Sequence, residues 1–471
     1  MPNTLSYLML MLWPLVCIGL FRRLAIERAI VWSLLGGYLL LPEQAQFDFP
    51  LVPDFDKETI PSLCAFAFCL LTAGRRVQLW PASPVVGGLM ILFLFGVVPT
   101  VLTNTDPIIF RSILNTEPLV FESGRLPGLR WIDVLSVMST QAIVLMPFVL
   151  GRAFLSSATG MRELLLALVV GGLAYSLPAL FEIRMSPQLN IWIYGFFQHD
   201  FSQMMRGGGF RPIVFLQHAL WLAFFLVTAA ISAAALARTA EGRNRRRFLV
   251  AAFYLVAVVY LGKSLAPLAY ALALTPLVLL VPPRAQLTLA VLMAAVAVVY
   301  PVLRDYGLVP LDTLLAWARA IDPDRAQSLG YRFRNEEMLL DRAHEKWLFG
   351  WGGWGRNLVR DPTTGEDWSV PDGEWIIVFG TFGWLGYLAK MGLLAVPLAM
   401  LWRRAGPNAA PHAAALAVIL GVTMVDMLIN AILTPYTWLI AGAILGHAER
   451  LAQERPDAAA GRRRSGAPIL H

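Results

Sequence analysis

The sequence predicts an all-α, polytopic membrane protein, a bundle of about 12–14 spanning helices carrying one large loop outside the membrane. Three observations predict it. Of the 471 residues, 57% are hydrophobic and only 15% charged, with a positive mean hydropathy, a composition that excludes an ordinary soluble domain. Apolar runs long enough for the hydrocarbon core recur along the chain. Between them, short arginine-bearing links alternate with longer polar or acidic ones.

The first run, Leu5 to Phe21, meets Arg22-Arg23 with no small-residue cleavage site, so it reads as a retained span. Basic links then recur at Arg28, Arg75-Arg76, Arg152 and Arg162, Arg243 to Arg247, Arg284, Arg403-Arg404 and Arg462 to Arg464. By the positive-inside rule these are cytoplasmic, and they account for the net charge of +7 without any need for nucleic acid. The other links face outward: Pro42 to Ile60, Asn104 to Trp131, Glu182 to Pro212, a tight turn at Lys263-Ser264, and Arg304 to about Glu374. The count is roughly thirteen spans with the N-terminus outside. Ala29 to Leu41 is short for a span, and Ala413 to Ala448 is either one bent helix or two, with an outward turn expected near Pro435. Asp426 sits at membrane depth, as an interhelical hydrogen-bonding group or a functional one. Residues 1–452 read as a single membrane domain and 453–471 as a disordered, basic cytoplasmic tail. Cys17, Cys64 and Cys69 lie inside apolar runs, as small core hydrophobes do.

The segment Arg304 to Glu374 concentrates about a third of the charge in some seventy residues, and a loop that long is functional or disordered. Its pattern favours order: Leu311 to Ala320 reads as one amphipathic helix and Arg325 to Trp347 as a longer one. In the second, Leu329, Phe333, Leu340 and Trp347 fall on one side, and Arg334, Glu337, Asp341 and Glu345 on another. Such a pair would roof a cavity at the outer leaflet. The turn Gly350-Trp351-Gly352-Gly353-Trp354-Gly355 follows; its glycines permit close backbone approach to a ligand. Trp351 and Trp354 suit either headgroup anchoring or stacking on a sugar face. No Gly-Lys-Ser/Thr follows, so it is not a P-loop.

Asp372 and Glu374 stand just before Trp375 at the start of an apolar helix. Either a helix cap or a general base acting on an acceptor hydroxyl needs a carboxylate there. A second outward link ends Arg206-Gly207-Gly208-Gly209-Phe210-Arg211-Pro212, two arginines on the side where topology does not call for them. Guanidinium is permanently charged and bonds phosphate bidentately. With Lys263, Arg332, Arg334 and Arg342, these arginines form a candidate diphosphate pocket. His199 and His344 have no partner at metal-ligand spacing, so no metal site is expected; His344 remains a third candidate base.

Taken together, these residues resemble the O-antigen ligase and polysaccharide (Wzy-like) polymerase family of bacterial envelopes. The resemblance rests on Arg206 to Pro212 followed by a long helix, on the large C-terminal loop with Gly350 to Gly355 late in it, and on Gly383-Trp384-Leu385-Gly386. Many members carry a histidine and an asparagine eleven residues before the first glycine of that last motif. Here Asp372 and Gly373 stand in those positions, which implies a carboxylate in the base role. The resemblance implies a GT-C-like bundle of the bacterial inner membrane and a metal-independent, cofactor-free glycosyltransferase. Its donor would be a glycan on undecaprenyl diphosphate at the outer leaflet, its acceptor a second glycan or lipid-linked glycan, and its partners a flippase and a chain-length regulator. Polymerase is the leading expectation, ligase its nearest rival, since the two share donor and chemistry. A lipid-linked glycan flippase would call for charge deep in several spans and an internal repeat, and a noncatalytic scaffold for indifference to Arg211 and Asp372.

Overall fold

The computed structural model describes residues 1–49, 52–73, 78–113, 120–407 and 409–465; the expected basic link Arg75-Arg76 lies outside them. The fold is almost entirely helical. At the N-terminal edge, α1 (Thr4–Arg23), α2 (Ile26–Leu40) and α3 (Thr59–Ala73) pack on one another. Next, α4 (Pro84–Phe95) and α5 (Val97–Leu102) make one apolar rod joined at Gly96, and the hairpin β1 (Ile108–Ile113) and β2 (Val120–Leu126) follows. Two long helices, α6 (Trp131–Phe154) and α7 (Ala158–Met185), lead through the short α8 (Leu189–Tyr194) to a two-residue hairpin, β3 (Met205–Arg206) with β4 (Gly209–Phe210). After these come α9 (Ala219–Thr239), α10 (Gly242–Leu261), α11 (Leu265–Leu280) and α12 (Pro283–Asp305). The loop pair α13 (Leu311–Ile321) and α14 (Pro323–His344) precedes α15 (Glu374–Arg404), α16 (Pro411–Asp426) and α17 (Pro435–Ser465). Among the described residues seven helices are long and apolar enough to cross a membrane, and α3, α11 and α16 are shorter apolar helices.

The core centres on α9, of whose apolar window 89% is buried, and which packs against α7, α10, α11 and α16. Its run of Ala229, Ala230, Ala233, Ala234 and Ala235 explains this, because small residues let helices approach where no hydrophobic force drives them together. The same device joins α6 to α17: a Cβ on Gly442 would meet the Phe148 carbonyl oxygen at 1.9 Å, and one on Gly446 the Arg152 carbonyl oxygen at 2.3 Å. Met11, Leu71, Phe253 and Leu280 are exposed apolar side chains on the outside of the bundle, as a lipid-facing surface requires.

Polar links gather at two opposite ends. At one, Arg28 pairs with Glu163 and Arg152 with Glu449, while Arg404 donates to the Ala448 carbonyl. At the other, the loops meet: Lys57 donates to the Phe215 carbonyl, Lys346 to Thr103, Arg356 to Pro127 and Asp106, and Arg332 to Ile429. The expected alternation of links is therefore realised in space. Ala413 to Ala448 resolves into two helices separated at 427–434. The last helix, α17, continues to Ser465.

The largest departure from a regular bundle lies inside α15. Gly383 has φ 62° and ψ −162°, a conformation essentially restricted to glycine, and it splits the helix in two. Into the break fits the glycine-rich turn: Trp351 N–H donates to the Gly380 carbonyl and Gly352 N–H to Thr381, while Trp384 N–H donates to Trp347 and Leu385 N–H to Leu348. The backbone groups that the broken helix would otherwise orphan are satisfied this way. Gly350 makes its close backbone approach to Thr381 of the chain's own helix.

Candidate functional site

The site is built at the loop end, where α14 crosses the mouth of the bundle. Phe333, Leu339, Leu340 and Ala343 of α14 are buried, while Arg334, Glu337, Asp341 and Glu345 are exposed, so the expected amphipathic faces are present. Trp347 departs from the pattern and is exposed, because the helix ends at His344 before reaching it. Arg332 lies between the two faces. Its guanidinium is 3.5 Å from the Asp372 carboxylate and donates to the Ile429 carbonyl and the Asn430 side chain, each at 3.1 Å. Asn430 in turn donates to Asp426 at 3.0 Å, which gives Asp426 a helix-end hydrogen bond. Partial burial pushes the Asp372 carboxyl above the usual carboxylate range, and the Arg332 charge pulls it part of the way back.

Three of the predicted cations lie within electrostatic reach of a histidine. His218 caps α9, its Nδ1 accepting from Leu220 N–H at 3.0 Å, which leaves the proton on Nε2. Burial, followed by the charges of Arg211, His199, Arg332 and Arg206, drives its pKa down to about 3, so the ring is neutral and positive charge crowds around it. Its ring centroid is 4.5 Å from that of His199. Arg211 is buried, with its guanidinium donating to the Ser264 hydroxyl at 3.1 Å and the Gln203 carbonyl at 3.4 Å. Arg206 is exposed beside a tight turn in which Gly207 and Gly208 have φ 54° and 68°. Positive φ at both central residues is a type I′ hairpin, so this glycine run is a defined turn rather than a flexible one. Lys263 (φ 54°) spends its ammonium on the Arg206 and Gly207 carbonyls, at 3.0 and 2.9 Å. It braces the hairpin.

The remaining candidates are spread away from this cluster. Glu374 pairs with Lys390 across the break in α15. His344 pairs with Asp305 at 2.9 Å, twelve residues along α14 from Arg332 and therefore about 18 Å away along the axis. Arg342 is ten residues along, about 15 Å; its guanidinium lies 3.3 Å over the Trp351 ring, and it pairs with Glu345 at 2.7 Å. Trp351 also carries Lys346 at 4.6 Å and donates from Nε1 to the Arg342 carbonyl, so it serves as a packing platform for two cations. Trp354 (φ 58°) is exposed, as is Arg334.

Sequence reasoning missed four residues that hold the site in shape. Glu182 is fully buried and accepts from Leu189, Ile213 and Val214 N–H at 3.2, 2.8 and 2.7 Å, fixing the chain just after Arg211. Glu336, buried, accepts from Trp375 Nε1 at 3.2 Å and Tyr300 at 3.5 Å, with Arg304 at 3.5 Å; burial raises its pKa. Buried Arg356 donates to the Trp351, Pro127 and Asp106 carbonyls. His218 is the fourth. Only His218 left a readable trace, since a polar residue stands directly before an apolar run. The other three act on backbone groups and side chains distant in sequence.

Compared with known protein families and with curated proteins, the chain finds no match. Permanent cations in electrostatic reach of a neutral imidazole, one of them paired with a carboxylate whose pKa is raised, make a place that can receive a multiply charged anion and take up a proton next to it.

Proposed function

We propose that this multi-pass membrane protein is a glycosyltransferase that polymerises undecaprenyl-diphosphate-linked oligosaccharide repeats into a surface or exopolysaccharide, working at the outer leaflet of a bacterial inner membrane. The observation that carries the reading is the pairing of Arg332 with Asp372 at 3.5 Å, with Arg206, Arg211 and Arg332 all within electrostatic reach of His218. Guanidinium groups so placed suit a diphosphate. The sugar enters the reading through the sequence resemblance.

In this reading the acceptor hydroxyl oxygen forms a bond to the anomeric carbon of the donor, the bond from that carbon to the diphosphate oxygen breaks, and the hydroxyl proton passes to Asp372. Undecaprenyl diphosphate leaves, its new charge held by the arginines and the His218 N–H. Raising the Asp372 pKa strengthens it as a base. A flippase that delivers the repeat and a regulator of chain length are the partners such a polymerase needs.

The test compares deletion, wild type and Asp372→Asn in the native host, following surface glycan length and undecaprenyl-linked intermediates. Single repeats accumulating outside while long chains vanish support the polymerase. Long lipid-linked chains accumulating instead identify a ligase, which moves finished glycan to another acceptor such as a lipid A core. Repeats trapped on the inner leaflet overturn the enzyme reading in favour of a flippase, and unchanged glycan with Asp372→Asn removes Asp372 from the mechanism.

A further inference from the structure

A cavity of about 400 Å³ opens beside the arginine cluster, between α3, α6 and the first turn of α15. Its size is that of a small-molecule site. Glu43, Asp56, Glu58 and Glu374 line it together with Lys390 and Trp221.

Three separate chain segments place neighbouring residues in the cavity and in the cluster. Gln217 lines the cavity and His218 the cluster; Glu374 lines the cavity and Asp372 pairs with Arg332; Ala431 lines the cavity and Asn430 binds Arg332. The two sites therefore lie close to one another, with Asp372 two residues from the cavity-lining Glu374.

Their chemistry is opposite. The arginine side is cationic, and the cavity is acidic. Glu43 is engaged by Lys57 at 2.6 Å and Glu374 by Lys390. Asp56 accepts from Glu58 and Thr59 N–H, at 2.9 and 2.8 Å. Glu58 forms no ion pair among the described residues and faces the carboxylates of Asp56, Glu43 and Glu374; burial and their repulsion raise its pKa to about 8. At neutral pH it therefore holds a proton and offers both a donor and an acceptor. Carboxyl groups, a threonine hydroxyl at Thr140, one ammonium and an indole ring are the groups that bind a polyhydroxylated ring through paired hydrogen bonds and stacking.

We propose that this cavity is the acceptor subsite: it receives a neutral or amino sugar ring and turns one of its hydroxyls toward Asp372, while rejecting sugars that carry a carboxylate. The proposal rests on the glycosyltransferase reading for the word acceptor, but saccharide binding itself does not.

The experiment uses the purified full chain in detergent. Saturation-transfer NMR is recorded with N-acetylglucosamine, glucosamine and glucuronate, and turnover is measured with lipid-linked repeats extracted from the native host. The expected result is transfer to the first two sugars and at least tenfold weaker binding of glucuronate. Glu58→Leu and Thr140→Val are expected to weaken sugar binding and to raise the KM for lipid-linked repeats about tenfold. Thr140→Val guards against misfolding of the Glu58 variant. Equal binding of glucuronate, no sugar binding, or a KM for lipid-linked repeats unmoved by both variants overturns the inference. If wild type makes no polymer yet binds the two sugars selectively, the polymerase reading falls and the saccharide site stands.

Discussion

Gly350 and Gly383 each sit where the other's strand of chain leaves no room for a Cβ: one added to Gly350 would lie 2.4 Å from the Thr381 carbonyl, and one added to Gly383 2.4 Å from the Leu348 carbonyl. Both have positive φ, 71° and 62°. Backbone strain of about 1–3 kcal/mol for a non-glycine residue at such a conformation adds to the clash. Gly350→Ala and Gly383→Ala are each expected to destabilise the protein by about 2 kcal/mol or more. The double variant should cost less than the sum, because the same interlock is lost once. Thermal unfolding in detergent checks this; additive losses would mean that the turn and the break are independent.

Arg332→Gln removes the charge that pulls the Asp372 pKa down while leaving its burial in place. Activity that depends on ionised Asp372 is lost as pH falls through its pKa, so the acid limb of kcat/KM should move to higher pH in the variant. The loss of a charged hydrogen bond to the donor, about 1.5–3 kcal/mol, should also lower kcat/KM by about 10–150-fold. A pH–rate profile with lipid-linked donor decides it, and an unmoved acid limb would separate Asp372 from the chemistry.

Glu336 has a folded pKa raised by burial. Such a group stabilises the fold in its protonated form, fully below the unfolded pKa of about 4.3, and the contribution fades as pH rises through the folded value. Glu336→Gln mimics the protonated form, so its unfolding temperature should vary less with pH than wild type just above the ordinary carboxylate range. Glu336→Ala should cost about 1–3 kcal/mol, since it leaves the buried Trp375 N–H without its acceptor while Arg304 keeps Glu337 at 3.1 Å.

Arg356 ties three carbonyls from three places, Trp351, Pro127 and Asp106. Arg356 reaches them from three separate nitrogens of one planar fork, whereas a lysine ammonium holds its donors on a single nitrogen. Arg356→Lys should therefore behave like Arg356→Ala, with limited proteolysis cutting the segment 104–130 faster in both. Protection equal to wild type in the lysine variant would reduce the contact to charge alone.

The helical bundle was legible because its signals are local. Periods of apolar residues, arginine links and the proline before α17 are each read within a few residues. The loop helices were legible for the same reason, as Phe333 and Leu340 face inward and Glu337 and Asp341 outward. In the candidate site, residue type pointed to Arg206, Arg211, Arg332 and Asp372, but nothing in their spacing showed that His218 stands among them. The same limit applied to Trp351, whose use as a platform for Arg342 depends on a turn folded back onto its own helix. Glu182 and Arg356 were invisible because their partners are backbone groups, which every residue possesses.

The hold of Ile429 and Asn430 on Arg332 also has a bearing on biogenesis. A nascent chain inserted only as far as Arg404 already contains Arg206, Arg211, His218, Arg332 and Asp372, yet lacks the carbonyl and amide that fix the guanidinium between them. The contacts that fix Arg332 therefore come from the turn between α16 and α17, the last part of the loop end to be synthesised.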